Sequence, residues 1–366
     1  MATICIPSFL CIIFVFMANF VPLLADDATP VIFVLGDSTA DVRTNNFLHH
    51  SKATANFPHN GVDFPNSRAT GRFSNGFNTA DMLAKRFGLK SSPPPFLFLR
   101  TLKCHCKKHL FKGVNFASGG AGLLDITGSK QTVDPLSEQI TQFASVRDDF
   151  TATIGPAATE AILSKSLFFI SIGSNDIFGY FKTKHRMPED KFLSLLISAY
   201  SKHITTLYEL GARKFGIISV PSVGCCPAQR LVQKHLNGTD GCFGAINDFA
   251  QAFHSALDTL LLNISSQLPG MKYSLGNVFQ MTLDIIANPE LFKFKNMTAA
   301  CCGHGTLNAQ GLCNSTASLC PDRRKYLFWD MVHPTQKASD LAAQTLFNGP
   351  QYYVSPINFA QLAKDN

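Results

Sequence analysis

The sequence predicts an α/β protein, a three-layer α/β/α sandwich around a five-stranded, mostly parallel sheet. Short apolar runs rich in β-branched and aromatic residues alternate along the chain with amphipathic stretches of helical period. Glycine, serine or proline bounds each run, as expected for strands that a parallel sheet buries on both faces. No repeat or low-complexity linker divides the chain. The predicted strands are Val31–Leu35, Gly113–Phe116, Leu167–Ile172, Phe215–Val220 and Met271–Leu275.

The composition of the 366 residues excludes several classes of protein. Charged residues make up 16 % of the chain, below the roughly 25 % of soluble domains, which excludes a disordered or coiled-coil protein. The net charge is +7, from 32 Lys and Arg against 25 Asp and Glu. The basic residues are scattered, except between Lys103 and Lys112, so no nucleic-acid partner is expected.

The N-terminus is typical of a secretory signal peptide. An uncharged, mostly apolar segment runs from Ile4 to Leu24, and Ala25 precedes two aspartates. This pattern predicts cleavage after residue 25 and a single mature domain at residues 26–366. The alternative is a membrane anchor. Two prolines and an asparagine interrupt the segment, however, and leave less than the ~20 apolar residues of a membrane span.

Amphipathic segments predict helices between the strands. Apolar residues recur near helical period over Phe192–Leu210, and Gly211 is placed to end that helix. A second apolar stripe covers Ile246–Ile264. Asp134 and Pro135 offer an N-cap and a first helical residue to a third helix.

A serine follows the first predicted strand, within the segment Gly36-Asp37-Ser38. In open parallel sheets the ligand site lies beyond the carboxyl ends of the strands. A serine on such a turn has an exposed hydroxyl, and its own N–H can face a developing oxyanion. Taken alone, the segment also fits an Asp or Ser cap on a following helix.

The second and third predicted strands also end in segments that can bind a ligand. Asn115–Gly122 follows the second strand, and its glycines allow backbone N–H groups to approach a ligand closely. Gly173–Asp176 follows the third strand and presents the carboxamide of Asn175 at the same edge. We therefore expect these segments to meet around Ser38.

An aspartate and a histidine lie three residues apart near the C-terminus, at Asp330 and His333. This spacing lets the carboxylate accept the Nδ1–H of the imidazole, which leaves Nε2 free to take a proton from Ser38. Pro334 disfavours helical geometry at the histidine and predicts a loop before the last helix. An isolated Asp-x-x-His pair is more often an ordinary surface contact.

Neither a metal nor a cofactor is expected. Cys104, His105, Cys106 and His109 lack the spacing of zinc ligands, and two lysines among them add repulsive charge. The glycine-rich loop is not a dinucleotide motif, because Asp125 stands where the third glycine belongs.

Together, these segments resemble the GDSL lipase/esterase family of the SGNH-hydrolase superfamily, and in particular its plant secreted branch. The resemblance covers most of residues 31–348 and implies an SGNH-hydrolase, flavodoxin-like fold. The matching segments are Gly36-Asp37-Ser38, Asn115–Gly122, Gly173–Asp176 and Asp330–His333, with Gly61–Pro65, Thr70–Gly76, Val220–Pro227 and Cys301–Gly303.

The resemblance implies a role for each motif residue. Ser38 corresponds to the nucleophile, and Asp330 and His333 to the other members of the triad. The oxyanion hole corresponds to the N–H of Ser38, the N–H of Gly120 and the side chain of Asn175, with Gly122 as the alternative to Gly120. Two positions depart from the family pattern: Thr39 replaces the leucine of the family name, and Arg43 stands where many relatives have glycine. The stretch Leu102–His109 is also less typical of the family.

The function that follows is a secreted serine ester hydrolase of the cell wall or apoplast that cleaves a small-molecule or lipid ester through an acyl-enzyme. Two alternatives stay open. The first is an acyltransferase or a polysaccharide O-acetylesterase that uses the same triad. The acyltransferase differs from the ester hydrolase in its acceptor, and the O-acetylesterase differs in its substrate. The other alternative is a catalytically dormant secreted glycoprotein that binds glycans or lipids.

Cysteines and sequons agree with secretion. Nine of the eleven cysteines follow residue 25, and an odd number leaves at least one thiol unpaired within the chain. Spacing predicts a Cys226–Cys242 disulfide, and either Cys302–Cys313 or Cys302–Cys320. Four Asn-x-Ser/Thr sequons are candidate glycosylation sites. These are Asn237, Asn263, Asn296 and Asn314.

Overall fold

The computed structural model describes residues 29–102, 109–183 and 186–365. The predicted signal peptide at residues 1–25 lies outside these ranges, and so do Cys104, His105 and Cys106. None of the helices within these ranges combines the length and the hydropathy that crossing a membrane requires.

One large sheet and two small ones contain the strands of the described residues. The strands are β1 (Ile32–Gly36), β2 (Gly113–Asn115), β3 (Leu167–Ser171), β4 (Lys214–Ile218), β5 (Lys272–Gly276), β6 (Asn296–Ala300), β7 (Cys302–Gly303), β8 (Ser318–Leu319), β9 (Tyr326–Phe328) and β10 (Val354–Ser355). The large sheet has the order β10-β5-β4-β3-β1-β2, and the small sheets pair β6 with β9 and β7 with β8.

The large sheet confirms the predicted five parallel strands and adds a sixth. Strands β1 to β5 pair in parallel throughout. Strand β10 pairs antiparallel with β5 through Val354 and Ser355. A strand of two residues is too short to show an alternating pattern, so the sequence contains no signal for this edge strand.

Helices cover both faces of the large sheet. They are α1 (Thr79–Arg86), α2 (Phe96–Thr101), α3 (Leu136–Ile154), α4 (Pro156–Lys165), α5 (Ser174–Lys182), α6 (Glu189–Glu209), α7 (Pro227–Asn237), α8 (Gly244–Gln267), α9 (Val278–Ala287), α10 (Gln336–Asn348) and α11 (Phe359–Lys364). Helices α3, α5, α6 and α8 pack on one face, and α1, α10 and α11 on the other.

The alternation of side chains along β1 builds both cores. Phe33 and Leu35 belong to the larger core, whereas Ile32 and Val34 belong to the core on the opposite face. Successive residues of a strand point to opposite faces, so a strand that is apolar throughout is buried on both sides. This arrangement confirms the three-layer α/β/α architecture.

The predicted helices occur with small differences at their ends. Phe192–Leu210 and Ile246–Ile264 lie in α6 and α8, except that α6 ends at Glu209. Gly211 follows that end with a φ of 107°, a conformation that favours glycine. The third helix begins at Leu136, and the Asp134 carboxylate accepts a hydrogen bond from Gln142 instead of capping the helix.

Three disulfides stabilise the region after β4, and the predicted Cys226–Cys242 pair is wrong. The bonds are Cys225–Cys242, Cys301–Cys320 and Cys302–Cys313. Cys302–Cys313 is one of the two pairs predicted for Cys302. Among the described cysteines, Cys226 is the one without a disulfide, and it is buried.

The local backbone explains why Cys225 forms the disulfide and Cys226 does not. The segment containing Cys225 pairs with the start of α8, where Phe243 donates to the carbonyl of Gly224 and Asn247 accepts from its N–H. The next residue, Cys226, turns into an apolar cluster. Spacing along the chain does not distinguish two adjacent cysteines. Only the directions of their side chains do.

Candidate active site

Ser38 lies directly beyond the carboxyl end of β1, in a turn that the neighbouring strand holds in place. The Asp37 N–H donates to the carbonyl of Ser171 at 3.0 Å. Gly36 has a φ of 154°, and a Cβ there would lie 2.3 Å from the same carbonyl oxygen. Only glycine therefore allows β1 to approach β3 this closely.

A buried glutamine fixes the same strand end from the helical layer. Gln139 of α3 is fully buried, and its Oε1 accepts from the Gly36 N–H at 2.8 Å. Its Nε2 donates to the Gly36 carbonyl, also at 2.8 Å. Gln139 thus binds both the N–H and the carbonyl of Gly36. The orientation of Ser38 depends on this contact between α3 and β1.

The structure brings Ser38, His333 and Asp330 together in a continuous hydrogen-bonded chain. The Nε2 of His333 lies 2.7 Å from the Oγ of Ser38. Its Nδ1 lies 2.9 Å from Oδ1 and 2.8 Å from Oδ2 of Asp330. Oδ1 of Asp330 also accepts the N–H groups of Val332 and His333, which hold the carboxylate in position.

The charges of this pair shift the pKa of both members. Burial raises the pKa of Asp330, but the positive charge and hydrogen bonds of His333 outweigh it and hold the value below the ordinary range. Burial lowers the pKa of His333, but the charge and hydrogen bond of Asp330 outweigh it and raise the value above 6.5. The imidazolium is therefore stabilised where it would form.

Three predicted donors, at Ser38, Gly120 and Asn175, have N–H groups without a partner in the described residues. The N–H groups of Ser38 and Gly120 make no hydrogen bond to any residue that the structure describes. Asn175 donates one amide hydrogen to the Ala121 carbonyl at 2.9 Å, which leaves its second hydrogen available. All three residues line the same cavity.

The two glycines that the sequence left as alternatives differ in their surroundings. Gly120 lines the cavity, with a φ of 87°. Gly122 does not line it, and a Cβ there would lie 2.5 Å from Asp176 and from Thr127. A packing requirement explains Gly122, and of the two glycines only Gly120 lines the cavity.

Asp176 holds the glycine-rich loop, a contribution that the sequence did not assign. Its carboxylate accepts the N–H groups of Leu123 and Leu124 and the hydroxyl of Thr127. Burial raises its pKa to about 6, partly offset by these hydrogen bonds. The only sequence signal was its position beside Asn175.

A second buried carboxylate, that of Asp41, also holds the glycine-rich loop. It accepts the N–H groups of Arg43, Thr44 and Gly119. Burial is again the largest influence and raises its pKa to about 6. Buried carboxylates that accept several backbone hydrogens stabilise irregular segments such as this one.

The two departures from the family pattern have separate consequences. The Thr39 hydroxyl bonds to the Asp37 carboxylate at 2.8 Å and to the Ser171 hydroxyl at 2.9 Å, and so ties the serine turn to β3. Arg43 has a φ of 125°, a region that favours glycine. Its guanidinium lies 5.4 Å from the Phe47 ring centre, and the residue does not line the cavity.

A cavity of about 1020 Å³ contains Ser38, Asp330 and His333 in its wall. The Phe73 ring also lines it, with its centre 4.9 Å from that of His333. Apolar side chains such as Phe178 and Ile285 make up much of the remaining wall. The space is sufficient for an ester with a sizeable acyl or alcohol group.

Comparisons with known proteins show the family of the chain. Residues 32–346 match the family described as GDSL-like Lipase/Acylhydrolase. A GDSL esterase/lipase of Arabidopsis thaliana is 39 % identical over 342 residues, which cover 91 % of this chain and 89 % of the relative. The GDSL esterase/lipase LTL1 of the same plant is 35 % identical over 338 residues, covering 90 % and 89 %.

Among solved structures, an acetyl xylan esterase aligns at 12 % identity and a TM-score of 0.35, covering 86 % of this chain and 96 % of that one. The sequence relatives and the family match are far stronger. The chain therefore belongs to the GDSL-like lipase/acylhydrolase family and is a hydrolase of the esterase/lipase class.

Proposed function

We propose that the protein is a secreted serine hydrolase that cleaves carboxylic esters through a Ser38–His333–Asp330 triad and an acyl-enzyme. The observation that carries this proposal is the unbroken chain of short contacts from the Ser38 hydroxyl to the Asp330 carboxylate. A lone serine hydroxyl is a weak nucleophile, and an adjacent imidazole oriented by a carboxylate activates it.

Each proton in the proposed reaction has a defined position. As the Ser38 Oγ attacks the ester carbonyl carbon, its proton moves to His333 Nε2, and the imidazolium is stabilised by Asp330. The tetrahedral intermediate collapses when Nε2 returns that proton to the departing alcohol oxygen, which leaves an acyl group on Ser38. A water molecule then gives a proton to Nε2 as its oxygen attacks the acyl carbonyl. When the second tetrahedral intermediate collapses, the bond between the acyl carbon and Ser38 Oγ breaks, Nε2 returns the proton to Oγ, and the acid is released.

Three donors stabilise the charge that develops on the carbonyl oxygen in this proposal. They are the N–H groups of Ser38 and Gly120 and the second amide hydrogen of Asn175. Because the two backbone donors have no competing partner in the described residues, they are available to an oxyanion. Loss of one such donor typically costs about 3 kcal/mol of transition-state stabilisation.

The experiment that tests the triad compares Ser38→Ala with Ser255→Ala, a control at an exposed serine of α8. Hydrolysis of p-nitrophenyl acetate and butyrate should be lost in the first variant and unchanged in the second. Wild-type turnover by Ser38→Ala would contradict the mechanism. Adding glycerol or xylan and analysing the products tests acyl transfer and deacetylation, the alternatives that use the same triad.

Secretion of a single domain at residues 26–366 is part of the proposal. The apolar N-terminus and the three disulfides support it, because disulfides persist in oxidising compartments. Among the sequons, Asn237 and Asn263 are exposed, while Asn296 and Asn314 are half-buried. The secreted protein should begin at Asp26 and lose mass on enzymatic removal of N-glycans. Retention of the first 25 residues in the secreted chain would contradict the proposed cleavage.

A further inference from the structure

Three apolar side chains at the edge of the Ser38 cavity are exposed to solvent. Ile126 is 76 % exposed, Leu312 66 % and Met187 47 %. All three also line the cavity, so they lie at its rim. They come from three segments distant in sequence: the loop after the glycine-rich turn, the loop closed by a disulfide at Cys313, and the segment before α6. Exposed apolar side chains that line one cavity are typical of a binding surface.

Every exposed charged side chain that lines the same cavity is basic. These are Lys52, Lys130, Lys182 and Arg186. Only Arg186 has an ion-pair partner among the described residues, Glu189 at 3.6 Å. Of the acidic residues that line the cavity, Asp37 and Asp176 are buried, and Asp330 is bonded to His333. The rim therefore combines apolar side chains with unpaired positive charge.

We propose that these three apolar and four basic residues, here called the docking rim, bind the surface of an anionic lipid aggregate. In this arrangement the apolar side chains enter the acyl layer and the basic side chains contact the negative headgroups. This is the combination by which peripheral proteins bind anionic interfaces. The inference rests on the proposed function, because it assigns to the Ser38 site ester substrates presented within a lipid surface.

Charge and hydrophobicity together favour this partner over others. A neutral lipid surface would account for Ile126, Leu312 and Met187 but not for the unpaired lysines. An acidic protein would account for the lysines but not for three exposed apolar side chains that line a cavity with a largely apolar wall. An anionic lipid surface satisfies both observations and delivers an ester to that opening.

The test measures binding with the Ser38→Ala protein, so that the substrate is not consumed. The protein is sedimented with phosphatidylcholine vesicles, with and without phosphatidylglycerol. Binding should require phosphatidylglycerol and should weaken with added salt, which screens exposed charges. Because the nucleophile is absent, this result does not depend on whether Ser38 performs the proposed reaction.

Variants of the docking rim identify the surface that binds. In the Ser38→Ala background, Leu312→Ser should weaken binding about tenfold, from the loss of one buried leucine side chain. Lys130→Gln should weaken it about fivefold, which corresponds to the contribution of one basic residue near an anionic membrane. Matched controls are Leu262→Ser, at a leucine 63 % exposed that does not line the cavity, and Lys165→Gln, at the exposed end of α4.

The outcomes separate this proposal from the one on which it rests. Hydrolysis of p-nitrophenyl butyrate by the wild type and by Ser38→Ala tests the proposed function, whereas vesicle binding by Ser38→Ala tests the docking rim, so either proposal can fail without the other. Equal binding to vesicles with and without phosphatidylglycerol, or equal effects of rim and control variants, would overturn the docking rim. Tight binding to soluble polyglutamate that Leu312→Ser does not weaken would indicate an acidic protein partner and would also overturn it.

Discussion

Replacing Asp330 by Asn should abolish catalysis while leaving the loop around it intact. The two backbone hydrogen bonds from Val332 and His333 both end on Oδ1. An asparagine oxygen can keep them, so the segment before α10 should fold as in the wild type. The change is then confined to Oδ2, which at 2.8 Å is the nearer of the two oxygens to the Nδ1 of His333, with Oδ1 at 2.9 Å.

At that position the substitution replaces an acceptor with an amide donor. A donor facing Nδ1 favours the tautomer that carries its proton on Nε2, and that tautomer cannot accept the proton of Ser38. The negative charge that stabilises the imidazolium is also lost. The same change in the well-studied serine proteases lowers kcat by about 10⁴, and we expect a loss of this size here. Binding of a short ester should change little, because the hydrogen bonds of Asp330 all go to Val332 and His333.

The assay is steady-state hydrolysis of p-nitrophenyl butyrate, with the melting temperature as a check on folding. Asp340→Asn is the matched control, because this carboxylate is exposed and pairs with Arg86 away from the triad. The control should retain wild-type kcat. If Asp330→Asn keeps more than about a tenth of the wild-type kcat, Asp330 is not the third member of the triad.

Further predictions follow from the site and from the disulfides. The neutral form of His333 is the base, and Asp330 raises its pKa, so activity should decline as pH falls through a midpoint above 6.5; a midpoint below that value would contradict the ion pair. Asn175→Ala should lower kcat about a hundredfold through the loss of one oxyanion donor, whereas an unchanged kcat would remove Asn175 from the hole. Peptide mapping without reduction should recover Cys225 joined to Cys242 and Cys226 as a free thiol that reacts only after unfolding, and a Cys226–Cys242 peptide would contradict the structure.

The sequence predicted the elements whose signals are local. Strands β1 to β5 each carry an apolar run, and the segments that meet around Ser38 each follow such a run or a clear turn. The parallel topology then brings the ends of β1, β2 and β3 to one edge. The roles of Ser38, Asp330, His333, Gly120 and Asn175 stay predictions, with a geometry compatible with each.

The features that the sequence did not predict depend on contacts between distant residues. Gln139 supports Gly36 from 103 positions away, and nothing in the pattern of α3 distinguishes it from an ordinary polar residue. Asp41 and Asp176 hold the glycine-rich loop through backbone hydrogen bonds that only the folded chain reveals. The choice between Cys225 and Cys226 depends on side-chain direction, which spacing does not encode.

Covalent labelling tests the central claim most directly. The protein is incubated with a fluorophosphonate, which reacts with activated serines, and the modified peptide is identified by mass spectrometry. The proposed mechanism predicts one adduct, on Ser38, which is absent in Ser38→Ala and formed far more slowly in Asp330→Asn. A labelled serine elsewhere, or an active enzyme with no adduct at Ser38, would contradict the mechanism.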